Sequence, residues 1–433
     1  VTTAYPDTSR GTRDYRTFDD QPFLPVIVGG HVGAYSIARA FHEAYGVRSV
    51  IVAGAQTWVT DRSAILEVVH CAKPVDADTL AATLRSPAVS GIGVPKILLA
   101  TSDSLVDTVA SLGDRISDDF VVPYVSAGPR ELATRKHTFA EVADAAGVSQ
   151  PDTHIVDLAT PGYADVADVS PFPAIVKPTT PGAWAAVDFA GKSKVHTVAS
   201  PRELTDLLDR IHASGYRDKL ILQDRIPGDD TGMRILTCYC DKQSRVRFAS
   251  YGRTLIEEHS PGLLGVPAAI LTDQDSEIVD QAARLLAQLK WVGYANFDLK
   301  YDPRDGRTKF FELNPRLGRS NYYVTGAGIN PVTYYVDEWL HDALPDGDDR
   351  VESTDRTVYS VVPNRTLKWA LRPHPELWEE VRGVIKGGGL RNPMHYRAER
   401  NPIRWAKVLA GGVSYDRKFR TYYDPEAAAQ DLG

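Results

Sequence analysis

The chain has 433 residues, enough for two or three domains of ordinary size. Its apolar and charged fractions are those of a globular protein, and no apolar run nears the roughly 18 residues that a membrane span needs. A net charge of −7 argues against a general nucleic-acid binder, and three cysteines without a CxxC pair read as buried packing in a reducing compartment.

Residues 1–22 form a polar leader without an apolar signal core, which predicts a cytoplasmic protein. In residues 23–128, Pro25-Val-Ile-Val28 reads as a buried strand. It runs through Gly29-Gly30-His31-Val-Gly33 into a helix reaching Phe41. Arg48–Ala53, Lys96–Ala100 and Val121–Tyr124 supply further short strands. Strands alternating with helical stretches predict a parallel α/β sheet. The glycine turn invites a dinucleotide reading, but its spacing is GGxxG. The second strand also ends Ile51-Val-Ala-Gly54, with no acid for ribose hydroxyls. A turn that opens a helix can still hold a carboxylate or phosphate on its N–H groups, and a plain tight turn is the alternative.

A boundary falls near Ser126-Ala-Gly-Pro129, and Pro129 opens a predicted helix from Glu131 to Ala146, closed by Gly147. Within residues 129–344 the expected elements are the strand Ala174–Pro178, a Gly-bearing loop from Thr179 to Lys194, and the strand Lys194–Val198. A helix over Pro201–Ser214, a strand over Leu220–Ile226, a meander over Arg234–Tyr239 and Arg245–Tyr251, and a helix over Asp275–Leu289 follow. This is an α+β arrangement in which antiparallel sheet brackets a cleft. Lys177 stands out because it follows Ala-Ile-Val in a strand that wants burial, where an unpaired ammonium is costly. Lys136, Lys192 and Lys194 read alone as solvated charges. Residues 345–433 pass from an acidic linker into an extension whose Trp and Tyr residues are expected to pack.

The hairpin from Tyr294 to Arg316 is the most informative stretch. Strand-prone runs flank Pro303-Arg-Asp-Gly306, a turn signal. With the turn centred near Asp305 and no bulge, Asp298 sits opposite Glu312, and Asn314 follows on the same face. Facing carboxylates destabilise a strand pair unless a cation lies between them, and all-oxygen donors point to Mg²⁺. Arg316 and Arg319 come next, with guanidinium forks suited to phosphate or carboxylate. The plainer alternative is an exposed hairpin whose acids face water.

Together with Lys136, Ile-Val-Lys177-Pro and Leu220–Gly228, this hairpin resembles the ATP-grasp superfamily over about Val26 to Leu340. Phe311-Glu312-Leu-Asn314-Pro-Arg316-Leu-Gly-Arg319-Ser320, the Gly33–Arg39 helix and Phe419–Tyr423 are similar to the D-aspartate ligase group of carboxylate–amine ligases. The resemblance implies a parallel α/β pre-ATP-grasp domain, a two-part ATP-grasp fold and a C-terminal extension, with ATP and Mg²⁺ as cofactors. It places Lys136, Lys177 and Lys194 on ATP phosphates, the Gln223–Ile226 backbone with Asp224 at adenine, and Asp230 at the ribose. Asp298, Glu312 and Asn314 would hold two Mg²⁺ ions, and Arg316 with Lys177 would stabilise the transferring phosphoryl group. Gly29, Gly30, His31, Arg319 and Ser320 would bind the substrate, under a lid formed by Thr179–Lys194. The hinge departs from the pattern, since Gln223 holds the commoner acid position and the acid comes one later at Asp224.

The implied reaction forms an amide through an acyl phosphate, adding D-aspartate to a diamino-acid side chain of a peptidoglycan precursor. The acceptor is then a UDP-linked muropeptide, whose diphosphate Arg391, Arg397, Arg400 and Arg404 could meet; an ordinary solvated basic face is the alternative. Another ATP-grasp ligase, making a dipeptide or natural-product amide, would use the same site. A non-catalytic nucleotide-binding module predicts a damaged hairpin or missing lysines, and neither is present. The oligomeric state stays open, a homodimer included.

Overall fold

The computed structural model describes residue 15 and residues 17–179, 181–193, 195–260, 262–347 and 349–430. Most of the polar leader and Lys194 therefore lie outside the described residues. The first sheet is parallel and contains β1 (Leu24–Val28), β2 (Ser49–Ala53), β3 (Leu66–His70), β4 (Lys96–Ala100) and β5 (Phe120–Val121), in the order β3-β2-β1-β4-β5. β1, β2 and β4 are buried at every residue, as expected of strands covered on both faces. The chain leaves β1 towards β2 on one side and reaches β4 on the other. This strand-order reversal opens a crevice at the carboxyl ends of β1 and β4.

The expected helix from Glu131 to Ala146 is two helices, Ala127–Thr134 and Lys136–Ala145. Arg135 between them is extended, with ψ 119°, which interrupts the hydrogen-bond ladder. The break has a packing reason, because Ala133 and Phe139 would point about 120° apart on one straight helix. Here both join the same core.

The second sheet is antiparallel, with β6 (Thr153–Asp157), β7 (Ala174–Pro178), β8 (His196–Val198) and β9 (Lys219–Asp224) in the order β6-β9-β7-β8. The helix Pro201–Ala213, capped by Ser200, lays Leu204, Leu207 and Leu208 on it. The stretch expected as an open loop after Thr179 carries a short helix, Pro181–Ala185. Trp184 explains it: the indole is buried edge-on to Phe189 and Tyr216, anchoring the segment to the core of this sheet.

The third sheet carries β10 (Met233–Cys240), β11 (Val246–Glu258), β12 (Val266–Asp273), β13 (Gly293–Asp302), β14 (Arg307–Asn314), β15 (Val351–Glu352), β16 (Val358–Ser360) and β17 (Leu390–Arg391). Its order is β14-β13-β10-β11-β12-β16-β17, with β15 beside β11. Residues 345–433 thus add three strands to the large sheet. Their helices bury Leu367, Val381 and Phe419 against Leu255, Ile256 and Leu271. Cys238 and Cys240 share the inner face of β10 as packing thiols.

The C-terminal segment is also fastened to the first domain. Arg404 is 1 % exposed, lies 3.2 Å from Glu399, and donates to the carbonyls of Val59 and Asp61. Arg391 is spent on the carbonyls of Gly326 and Gly388. The expectation that both meet a diphosphate is corrected accordingly: their guanidinium groups staple the fold. Arg397 and Arg400 are exposed. Among the described residues no helix is long and apolar enough to cross a membrane.

Candidate active site

Alternation along β13 and β14 sends Phe297, Leu299 and Leu313 into the core and leaves Asp298 and Glu312 on the other face. Asp298 pairs with Glu312, and Asn296 with Asn314. The hairpin is not bulge-free, however. Leu299 pairs with Phe310, so Phe311 is an extra residue that restores the acid-to-acid register. The Lys177 ammonium lies 5.9 Å over the Phe311 ring.

Asn314 Nδ2 donates to Asp298 Oδ2 at 3.1 Å and to the Asn296 carbonyl at 3.3 Å. Burial, then the charge of Glu312, push the Asp298 carboxyl up to about 7. Two acids that resist joint ionisation are the donor set a divalent cation satisfies. No three His, Cys, Asp or Glu side chains converge as a complete metal cage among the described residues. The all-oxygen donors Asp298 and Glu312 are of the kind Mg²⁺ takes, since it uses few carboxylates and fills its shell with water and phosphate oxygens. Arg316 is held beside the pair, with Nε 2.9 Å from Asp103 Oδ1 and Nη2 donating to Asn314 Oδ1 at 3.2 Å.

Across the cleft, Lys177 on β7 and Gln223 on β9 line one cavity with Phe311 and Glu312 of the hairpin. The small sheet and the β13–β14 hairpin therefore close on a common space. A more open cleft around Arg234, Arg284 and Arg307 contains none of the candidate residues. Gln223 donates to Thr153 Oγ1 at 3.1 Å. Asp224 is turned away to Arg304, which also binds Asp302, so this carboxylate ties the hinge to the hairpin tip. The Asp224 and Arg225 N–H groups are committed to the carbonyls of Asp152 and Pro173. Lys300 donates to the carbonyls of Ile226 at 3.0 Å and Gly228 at 2.7 Å, clamping the hinge from β13. Asp230 accepts from the Glu257 N–H at 2.8 Å and lies 2.9 Å from His259 Nε2. Lys136 is the first residue of its helix, with a side chain outside the described residues, as is Lys194.

The glycine turn occupies the crevice at the β1 and β4 ends. Gly29 has φ 127°, and a Cβ there would meet Thr101 Oγ1 at 1.9 Å, so only glycine lets the two strand ends approach. His31 caps the helix Val32–Tyr45: Nδ1 accepts from the Gly33 N–H at 3.0 Å and Nε2 faces the Thr101 carbonyl at 3.2 Å. The carbonyl can only accept, so Nε2 carries the proton. Burial, then Arg319, lower the ring to about 4, leaving it neutral. The backbone of Arg319 runs within about 3 Å of the position a Cβ on Gly33 would take. Ser320 is buried behind it.

Four residues escaped sequence reasoning. Asp103 follows β4 at the carboxyl-end crevice, a position that itself was the signal. Lys300 shares a face with Asp298, two residues earlier, by simple alternation. Glu257 and Glu258 interrupt the apolar run Leu255-Ile256, an anomaly like that of Lys177. Burial, then Asp230 and Asp298, push the Glu257 carboxyl well above the usual range.

Residues 256–330 match the family model described as "Carbamoyl-phosphate synthase L chain, ATP binding domain". The fold is similar to N5-carboxyaminoimidazole ribonucleotide synthetase in its ADP complex, with TM-score 0.54, 13 % identity, and coverage of 78 % of this chain and 80 % of that one. It is also similar to the L-amino acid ligase of Bacillus licheniformis, with TM-score 0.51, 14 % identity, and coverage of 75 % and 76 %. The D-aspartate ligase of Enterococcus faecium (strain Aus0004) is 31 % identical over 416 residues, covering 94 % of this chain and 98 % of that protein. With likeness running over nearly all of both chains, the protein belongs to the D-aspartate ligase family of ATP-grasp carboxylate–amine ligases, ATP-dependent C–N ligases that use ATP and Mg²⁺.

Proposed function

We propose that the protein joins D-aspartate to the side-chain amine of a diamino acid in a UDP-linked peptidoglycan precursor. The observation that carries the activation chemistry is the facing pair Asp298–Glu312, whose Glu312 lines one cavity with Lys177 and Gln223. The substrate assignment is supported by the likeness to the Enterococcus enzyme.

In this reading a substrate carboxylate oxygen attacks the γ-phosphorus of ATP, giving an acyl phosphate and releasing ADP. The amine then attacks the acyl carbon, phosphate departs, and the nitrogen sheds its proton. Mg²⁺ held by Asp298, Glu312 and Asn314 would neutralise triphosphate charge. The protein otherwise positions and stabilises charge, which is most of what such a transfer asks. Lys177, Lys136 and Lys194 supply cations for the phosphates. Arg316, fixed by Asp103 and Asn314, meets the transferring group without reorganising. With the Asp224 and Arg225 amides already taken, adenine pairing falls to the Ile226 end of the hinge, whose geometry Lys300 maintains. The Gly30–His31 turn and Arg319 seat the substrate. The Thr179–Lys194 segment closes to keep water from the acyl phosphate.

ADP release should rise when D-aspartate and a diamino-acid acceptor are supplied, and rise far less with L-aspartate. Equal response to both isomers, or to neither, would refute the assignment.

A further inference from the structure

The end of β11 carries a second buried acid outside the phosphate-transfer machinery. Glu258 is 3 % exposed, and its Oε2 accepts from Ser260 Oγ at only 3.3 Å. A carboxylate so buried needs positive partners. Burial raises the Glu258 carboxyl, and the charges of Arg319, Lys418 and His259 act against that rise.

The C-terminal helix Pro402–Tyr422 packs beside the end of β11. Phe419 packs on Leu255 and Ile256, and the ring of Tyr423 stacks on His259 at 4.2 Å. Tyr415, one turn before Phe419 on the same face, lies near Arg319, whose charge opposes the burial that raises the phenol. Arg319 in turn leans on the glycine turn at Gly33, and Asn321 beside it donates to the Gly33 carbonyl. The fully buried Asn321 Oδ1 has no hydrogen-bond partner among the described residues. Arg319 thus links the buried acid to the glycine turn, and Asn321 leaves an unmet acceptor beside it.

An amino diacid that gives one carboxylate to phosphoryl transfer still presents an ammonium and a second carboxylate. Arginines alone would accept any dicarboxylate, and neutral His31 adds no further charge to select among them. We propose that Glu258 and Arg319 form the recognition pair for this zwitterion: Glu258 takes the ammonium, Arg319 takes the unreacting carboxylate, and Tyr415 of the C-terminal helix orients Arg319. Glu258 and Arg319 thereby determine specificity and Tyr415 is a positioning residue. The proposal rests on the ligase reading above and deepens it.

The test compares aspartate with succinate, which lacks only the amine, by ADP release in the full-length protein. The wild type should favour aspartate by about 100-fold or more, as sites built to hydrogen-bond a substrate group do. Glu258→Gln should erase most of that preference by raising the KM for aspartate, with the KM for ATP unchanged. Tyr415→Phe, a gentler change, should raise the KM for aspartate several-fold and leave that for ATP alone. Equal use of succinate by the wild type, or full discrimination retained by Glu258→Gln, would overturn the proposal. An unmoved aspartate KM in Tyr415→Phe would overturn the role of the helix. Failure of every acid to stimulate ADP release would overturn the ligase reading itself, and this inference with it.

Discussion

Replacing Asp298 with Asn should make the metal-free protein more stable while abolishing turnover. Burial and the facing Glu312 raise the carboxyl from 3.8 to about 7. Between those values the native state holds a proton the unfolded chain has released, so wild-type stability falls as pH rises through that window. At about 1.36 kcal/mol per unit, the full penalty above pH 7 is up to about 4 kcal/mol. The amide keeps the shape and still accepts from Asn314 Nδ2, but never ionises. Thermal unfolding of both proteins at pH 4 and pH 8, without divalent ions, measures the effect. The variant should match wild type at pH 4, exceed it at pH 8, and gain no stability from Mg²⁺ with ADP. A variant less stable than wild type at pH 8, or one with the same pH slope, would refute the electrostatic argument.

Three further substitutions test separate parts of the account. Glu312→Gln should lower kcat at least about 100-fold through loss of a metal donor, with an unchanged circular dichroism spectrum. Lys177→Ala should raise the KM for ATP, and an unaltered ATP dependence would count against its phosphate role. Arg404→Met should destabilise by about 3–5 kcal/mol, since it strands Glu399 as an uncompensated buried charge; a denaturation midpoint equal to wild type would contradict the staple.

The placement of the candidate residues was readable because they obey local rules. The carboxylate pair follows from turn chemistry and strand alternation, and Lys177 from a charge embedded in an apolar run. Even so, the register depends on the bulge at Phe311, which no local signal announces; a bulge-free hairpin reached the same pairing from a different turn. The break at Arg135 was hidden because both helices carry ordinary helix-forming residues and only the shared core for Ala133 and Phe139 requires it. β3 was obscured by Glu67 and His70 on an edge strand, and β12 by Pro267 and a glycine-bearing approach. The C-terminal strands have two or three residues each, too few to display alternation. Their place in the large sheet comes from contacts more than 80 residues away, such as Val358 on Leu271. Arg404 reads as a surface charge in sequence because its partners, Val59, Asp61 and Glu399, lie mostly in another domain.

The most direct test is a crystal structure with Mn²⁺ and a non-hydrolysable ATP analogue, recorded at the manganese edge. Anomalous peaks within about 2.2 Å of Asp298 and Glu312 oxygens, bridged to the analogue's terminal phosphates, are the predicted result. Peaks elsewhere, or a nucleotide bound away from the space between Lys177 and the hairpin, would contradict the account.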